Sequence, residues 1–84
     1  MIYKVVILRG AVKQLEMLPA KDYHAIKSKI LALAENPRPR GCEKLKGRPG
    51  YRVRQGNYRI IYDIWEDVLT VGIIRVGHRK NVYR

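Results

Sequence analysis

The sequence is short of cysteine, of histidine and of long apolar runs. Cys42 is the one cysteine among 84 residues, so no disulfide can form within the chain. One cysteine and two histidines do not make a zinc ligand set, and we expect no metal or other cofactor. No apolar run approaches the roughly 20 residues that a membrane-spanning helix needs. The N-terminus lacks the layout of a signal peptide because Lys4 and Arg9 interrupt its apolar residues. We therefore expect a cytoplasmic protein outside the membrane.

Acidic residues are also scarce relative to basic ones. The chain has 18 lysines and arginines against 7 aspartates and glutamates, which gives a formal charge of +11. A chain of this length is expected to form one domain, residues 1–84, with one modest core. Its charge favours a polyanionic partner, which is a nucleic acid, an acidic membrane surface or an acidic protein.

Two helices are predicted after a first strand. Residues 2–8 are rich in β-branched and aliphatic side chains, which is typical of a strand. Residues 9–18 form a short helix, and a second helix runs from Pro19 to the residue before Pro37, making an αα-hairpin. The apolar stripes comprise Val12, Leu15 and Leu18 in the first helix and Tyr23, Ile26, Ile30 and Leu33 in the second. His24 is expected at the surface without a chemical role.

Three strands are predicted in the second half of the chain. They cover residues 51–55, 58–65 and 68–76, joined by tight turns at Gly56-Asn57 and Glu66-Asp67. The second turn predicts that Trp65 faces Val68, Ile64 faces Leu69, Tyr62 faces Val71 and Ile60 faces Ile73. One face of the sheet then collects Val53, Ile60, Tyr62, Ile64, Leu69, Val71 and Ile73. We expect this face to pack on the helices, so the fold class is α+β: an N-terminal strand, a two-helix hairpin, then an antiparallel sheet packed on the helices.

The opposite face of the sheet carries an arginine cluster. Arg52 and Arg54 alternate with Val53, and the Gly56-Asn57 turn places Arg54 opposite Arg59, so the three arginines share a face. Like charges that face each other destabilise a strand pair. We interpret the cluster as an anion site, and the alternative is a solvated basic face. The apolar residues of this face either contact a partner or form a small second core; they are Ile61, Trp65, Val68 and Ile74.

A basic segment precedes these strands and a basic tail follows them. Residues 37–50 mix proline and glycine with lysine and arginine, which is typical of a loop. We interpret this segment as an arm that contacts phosphate through Lys44, Lys46 and Arg48 and is anchored by Leu45; the alternative is a flexible connector. For Cys42, a reactive thiol is an alternative, although no base is visible beside it. The tail brings together His78, Arg79, Lys80 and Tyr83.

The segments EKLKGRPGYRVRQGNYRIIYDI and IIRVGHRKNVY resemble the RelE branch of the RelE/ParE toxin superfamily. The motifs that carry this resemblance lie at Leu45–Gly47, Gly56–Tyr62 and Val76–Tyr83, and the likeness covers nearly the whole chain. It implies a small basic toxin of a toxin–antitoxin pair. Such a toxin is a ribosome-dependent endonuclease that enters the ribosomal A site and cuts messenger RNA without a metal. The 2′-hydroxyl attacks the adjacent phosphate, leaving a 2′,3′-cyclic phosphate and a 5′-hydroxyl.

The resemblance also implies the site residues. The basic active-site residues of the family correspond to Arg52, Arg54, Arg59 and Arg79, and its C-terminal tyrosine corresponds to Tyr83. Guanidinium groups stabilise charge on the phosphate oxygens, for which Arg59 and Arg79 are the first candidates. Tyr83 is the candidate base, since surrounding positive charge lowers the pKa of a phenol, and His78 is the candidate acid.

Some positions depart from the family pattern. In the best-known member, lysines replace Arg52, Arg54 and His78, and an arginine cannot serve as a general base as a lysine can. The chain also ends at Arg84, without the C-terminal helix that some members carry.

The sequence is also compatible with two alternative functions. One is a ParE-like gyrase inhibitor of the same fold, and the other is a non-catalytic module that binds nucleic acid. The family further implies an acidic antitoxin that folds on binding and covers the site.

Overall fold

A computed structural model describes residues 2–78 of the chain. The strands are β1 (Lys4–Ile7), β2 (Glu43–Lys44), β3 (Tyr51–Gln55), β4 (Tyr58–Trp65) and β5 (Thr70–His78), and the helices are α1 (Arg9–Glu16) and α2 (Ala20–Glu35). The strands form one sheet in the order β1-β5-β4-β3-β2. β1 runs parallel to β5 and the other pairs are antiparallel. The α+β architecture predicted from the sequence is confirmed, with the first strand joining the sheet and making it mixed.

The helices cover one face of the sheet. Pro19 precedes the first residue of α2, and α2 ends just before Asn36 and Pro37, as the proline positions predict. The buried side chains of α2 are Ile26, Ile30 and Leu33, which confirms the predicted stripe. The helix predicted from the spacing of Val12 and Leu15 is confirmed as α1, in which Ala11 and Leu15 are buried and Val12 is 38% exposed. No helix within residues 2–78 is long and apolar enough to span a membrane.

The hairpin of β3 and β4 has the register predicted from its turn. Gln55 pairs with Tyr58 and Arg54 with Arg59 across Gly56-Asn57. Gly56 has a positive φ of 61°, which glycine adopts without the steric penalty that a Cβ imposes. The two-residue turn therefore fixes which side chains of β3 and β4 share a face.

The connection between β4 and β5 differs from the predicted tight turn. A short 3₁₀ turn covers Glu66–Val68, and Leu69 follows it in the left-handed region with φ 45° and ψ 52°. Trp65 consequently pairs with Thr70 and not with Val68. The register is shifted by two residues here, which keeps Val71 and Ile73 on the helix-covered face because side chains alternate with period two.

A β-bulge in β5 then reverses this alternation. Tyr62 pairs with Ile73, but the preceding Ile61 pairs with Arg75, so Ile74 is an extra residue on β5. Beyond the bulge, Val76 enters the core at 1% exposure and Arg75 moves to the face that the helices leave uncovered. The predicted pairing of Ile60 with Ile73 was wrong because the longer turn and the bulge both shift the register, and Ile60 instead pairs with Val76.

The main core lies between the helices and the sheet. It comprises Ala11, Leu15, Ile26, Ile30, Leu33, Val53, Ile60, Tyr62, Ile64, Val71, Ile73 and Val76. Leu69, which the sequence placed in this core, is 38% exposed because the longer turn carries it to the surface. A second, small cluster on the other face consists of Leu45 and Ile61, so Leu45 anchors the basic segment as predicted.

Candidate nucleic-acid interface

The sheet face away from the helices carries a group of arginines that we call the arginine face: Arg52, Arg54, Arg59 and Arg75. Their β3 and β4 neighbours Val53 and Ile60 are buried in the core, so the arginines point to the opposite side. Arg52 pairs with Ile61, which in turn pairs with Arg75, and these residues share that side. Three adjacent strands therefore contribute to one basic surface.

Arg54 and Arg59 stand directly opposite each other on β3 and β4. Arg54 is exposed and Arg59 is partly buried. On the far side of Arg59, its partner on β5 is Gly77, which has no side chain. The pairing of two positive charges is unfavourable in isolation, and an anion bound between them would remove this repulsion.

Arg52 is held by an acidic neighbour on β2. Its Nε and Nη2 atoms donate hydrogen bonds to Oε1 of Glu43 at 3.2 and 3.0 Å. The side chains of Arg52 and Glu43 are 32% and 56% exposed, so solvent screens this ion pair. Arg52 is thus oriented by Glu43 before any ligand arrives.

The predicted phosphate-contacting arm surrounds a cavity beside this ion pair. The cavity has a volume of about 330 Å³, and its lining includes Lys44, Lys46, Arg48 and Arg52 together with Glu43. The structure therefore brings the arm and the start of the arginine face together.

Arg38, at the beginning of the same segment, has a different role. Its Nη1 donates to Glu66 Oε1 at 3.0 Å and its Nε donates to the Tyr51 hydroxyl at 3.3 Å, with the guanidinium 5.3 Å from the centre of the Tyr51 ring. Hydrogen bonds from Tyr3 and Arg38 lower the pKa of the Glu66 carboxyl. These contacts fasten the segment to the sheet.

His78 lies on the helix-covered side of the sheet. It pairs with Tyr58, and the two rings meet edge to face with centroids 6.0 Å apart. The Tyr58 hydroxyl donates to Asp22 Oδ2 of α2 at 3.1 Å, and this hydrogen bond raises the pKa of Tyr58. A cavity of about 500 Å³ adjoins these groups and Lys21. The structure thus separates His78 from Arg54 and Arg59, although the sequence placed them in one site.

Three further predicted site residues lie outside the described part of the chain. They are Arg79, Lys80 and Tyr83. The roles assigned to them from the sequence remain predictions. Among residues 2–78, no group of three or more histidine, cysteine, aspartate or glutamate side chains lies close enough to hold a metal ion.

Arg75 is a member of the arginine face that the sequence analysis missed. Strict alternation along the last strand put Arg75 on the same side as Val71 and Ile73, which are core positions. A charged residue at a core position is itself a signal of a bulge, and the adjacent apolar residues Ile73 and Ile74 mark where the alternation breaks. The register confirms a bulge there.

The chain matches a known protein family over most of its length. A family model described as the ParE toxin of the type II toxin–antitoxin system parDE matches residues 5–83. The toxin RelG of Mycobacterium tuberculosis is 32% identical over 74 residues, which cover 76% of this chain and 85% of that protein.

Solved structures with the same fold come from bacteria and archaea. The toxin–antitoxin complex RelBE2 of Mycobacterium tuberculosis contains a chain that is 29% identical to this one, with a TM-score of 0.85. The match covers 94% of this chain and 100% of that chain. The RelE–RelB complex of Pyrococcus horikoshii contains a chain with a TM-score of 0.83 and 31% identity, covering 98% and 100%.

Proposed function

The chain belongs to the RelE/ParE superfamily of type II toxin–antitoxin toxins, and from this premise we propose that it is a metal-independent endoribonuclease that cuts messenger RNA in the ribosomal A site. The 2′-hydroxyl of one nucleotide attacks the neighbouring phosphate, and the 5′-oxygen leaves. The products are a 2′,3′-cyclic phosphate and a 5′-hydroxyl. The toxin acts in the cytoplasm, where its substrate is translated.

The observation that carries the proposal is the facing pair of Arg54 and Arg59 on the uncovered side of the sheet. A transition state for phosphoryl transfer builds negative charge on the phosphate oxygens, and preorganised guanidinium groups stabilise that charge. Hydrogen bonding along β3 and β4 fixes the backbone positions from which the two arginines extend before substrate binds. A phosphate between them relieves their mutual repulsion and gains two charge-assisted contacts.

Proton transfer needs other groups, because an arginine keeps its proton at any working pH. We assign the removal of the 2′-hydroxyl proton to Tyr83 and further charge stabilisation to Arg79, both in the C-terminal segment after β5. We infer that His78 does not act as the acid at the arginine face, since its ring lies with Tyr58 on the other side of the sheet. A site with so weak a base depends on the ribosome to orient the substrate.

Contacts with ribosomal RNA supply the rest of the binding. Lys44, Lys46 and Arg48 line a cavity next to Arg52, and we propose that these residues, with Lys80, bind backbone phosphates. Binding through phosphate contacts weakens steeply with added salt.

A cognate antitoxin is the second partner. The related toxins of Mycobacterium tuberculosis and Pyrococcus horikoshii have been solved in complexes with RelB proteins. We propose an acidic antitoxin that is disordered until it binds and that covers the arginine face, since a +11 chain attracts such a segment.

A ParE-like action on gyrase is a second candidate, and the description of the matching family model favours it. Such a toxin acts through protein contacts and needs no phosphate site. The facing arginines favour the nuclease, as does the identity to RelG. The third candidate is a non-catalytic module, which would bind nucleic acid through the basic surface without cutting it.

Mapping of cut sites on translating ribosomes tests the proposal. We expect the wild-type protein to cut within the A-site codon and to leave naked messenger RNA intact. Arg59→Gln should reduce the rate by about 100- to 1,000-fold, the usual effect of removing one donor to a developing oxyanion. Lys13→Gln, which removes the same charge from the exposed surface of α1, should keep the wild-type rate. Inhibition of supercoiling without RNA cutting would support the ParE-like candidate, and RNA binding with neither effect would support the module.

A further inference from the structure

We infer that Arg75 is a phosphate-binding residue of the arginine face, where it holds the RNA backbone beside Arg59. This inference rests on the proposed function in one respect, because it requires RNA to lie on this face of the sheet. The family resemblance assigned no role to Arg75. The register of β4 and β5 supports this role.

The β-bulge places Arg75 on this face. With Ile74 as the extra residue of β5, Arg75 pairs with Ile61, and Ile61 pairs on its other side with Arg52. Paired residues point to the same side of a sheet. Without the bulge, Arg75 would occupy a core position and Val76 would be exposed, whereas Val76 is 1% exposed. The bulge therefore exchanges these two side chains between core and surface.

Gly77 leaves a gap between Arg75 and Arg59. Gly77 stands opposite Arg59, and Arg75 lies two residues before it on the same side of β5. Arg59 and Arg75 are thus diagonal neighbours, roughly 7–8 Å apart at their backbones. Two guanidinium groups at this separation can reach a single phosphate that rests over Gly77, which itself contributes no side chain.

The charge balance of this face also favours an anionic ligand. The four arginines of the arginine face share it with two carboxylates, Glu43 and Asp63. Glu43 bonds to Arg52, and an Asp63 oxygen accepts the backbone N–H of Ile64 at 2.8 Å. With four guanidinium groups against two carboxylates, this face keeps an excess of positive charge, which favours an anionic ligand.

The salt dependence of RNA binding tests the role of Arg75. The probe is a short single-stranded RNA with 2′-O-methyl groups, which cannot be cut, and fluorescence anisotropy gives its affinity over a range of KCl concentrations. Log K falls as log[KCl] rises, and each lost phosphate contact should decrease the magnitude of this negative slope by about 0.7 for single strands. We expect this decrease for Arg75→Gln, the wild-type slope for Arg75→Lys, and the wild-type slope for Lys13→Gln on α1.

Equal slopes for Arg75→Gln and Lys13→Gln would overturn the inference. Thermal unfolding of each variant checks its fold, and Arg75→Met, which keeps an unbranched apolar stem, replaces the glutamine variant if that protein does not fold. The cleavage assay on ribosomes separates this inference from the proposed function. If the wild-type protein does not cut RNA and Arg75→Gln has a shallower slope, the phosphate contact of Arg75 is supported and the nuclease is refuted. If the wild-type protein cuts RNA and the slopes of Arg75→Gln and Lys13→Gln are equal, the nuclease is supported and the role of Arg75 is refuted.

Discussion

At the level of single residues, Glu43 competes with any phosphate that approaches Arg52. Two hydrogen bonds from the Arg52 guanidinium go to one oxygen of Glu43. The pair is partly exposed, and exposed ion pairs contribute at most about 1 kcal/mol. We therefore expect that a phosphate replaces Glu43 at small cost, so that under the proposed function Glu43 limits RNA affinity without preventing binding.

Replacement of Glu43 should strengthen RNA binding. Glu43→Gln removes the competing charge, and a gain of up to about 1 kcal/mol corresponds to roughly fivefold in affinity. Glu16→Gln, at the exposed end of α1, changes the net charge equally and serves as the control. Anisotropy titrations with the 2′-O-methyl RNA measure both variants. Equal affinities for the two would mean that Glu43 does not oppose RNA at Arg52.

Tyr62 is the largest side chain buried in the core. It is 0% exposed, stacks on Tyr51, and its hydroxyl donates to the carbonyl of Pro37 at 2.7 Å. This bond joins the core to the start of the basic segment. Burial raises the pKa of Tyr62 above its ordinary value near 10.

Tyr62→Phe should destabilise the fold by about 1–3 kcal/mol, because it leaves a carbonyl without its donor. Folding raises the pKa of Tyr62, so its contribution is fully present below about pH 10 and is lost as the pH rises through the folded-state value. The stability gap between wild type and variant should therefore be constant below about pH 10 and narrow above it.

Urea unfolding at several pH values measures this gap. Tyr23→Phe is the control, since the Tyr23 ring packs on the same core and its hydroxyl makes no hydrogen bond among the described residues. A gap that widens above pH 10, or equal stability of wild type and Tyr62→Phe, would contradict this view of Tyr62.

At the level of elements, the turns decide how much of the sheet can be predicted. The β3–β4 register follows from Gly56-Asn57 because a two-residue turn leaves one pairing. The β4–β5 turn was mispredicted because Leu69 adopts a left-handed conformation that leucine rarely takes. No residue pattern near Leu69 indicates this conformation. It places the Leu69 carbonyl where it accepts the N–H of Lys4, the first residue of β1 and distant in the sequence.

The packing of Trp65 on Gly72 is another consequence of this connection. A Cβ at position 72 would lie 2.8 and 2.9 Å from Cζ3 and Cζ2 of the Trp65 ring. Gly72→Ala should therefore displace the indole and cost about 1–3 kcal/mol, as overpacking does. Trp65 is the one tryptophan of the chain, so a red shift of the emission spectrum together with a lower urea midpoint reports the displacement.

Gly10→Ala supplies the matched control for Gly72→Ala. A Cβ at Gly10 in α1 meets no atom within 4 Å, and alanine stabilises a helix relative to glycine by up to about 1 kcal/mol. We expect an unchanged emission spectrum and equal or greater stability. If Gly72→Ala behaves like Gly10→Ala, then Trp65 does not pack on Gly72 in solution.

At the level of the whole molecule, the basic surface could be predicted and its exact membership could not. The composition predicts the positive charge, and the two-residue hairpin turn predicts that Arg54 faces Arg59. Arg75 depends on a bulge, and the position of His78 depends on the same bulge, because it changes which side each later residue of β5 faces. A prediction from alternating side chains assumes strands without bulges, so it cannot give the face on which Arg75 or His78 lies.

The most direct test is a cryo-electron microscopy map of the protein on a ribosome whose messenger RNA carries a 2′-O-methyl group at the A-site codon. The modified hydroxyl cannot attack, so the substrate stays intact at the site. We predict that the scissile phosphate lies within about 3 Å of guanidinium nitrogens of Arg54 or Arg59. A codon that contacts the surface of α1 and α2 instead, with the arginine face turned away from it, would contradict the account.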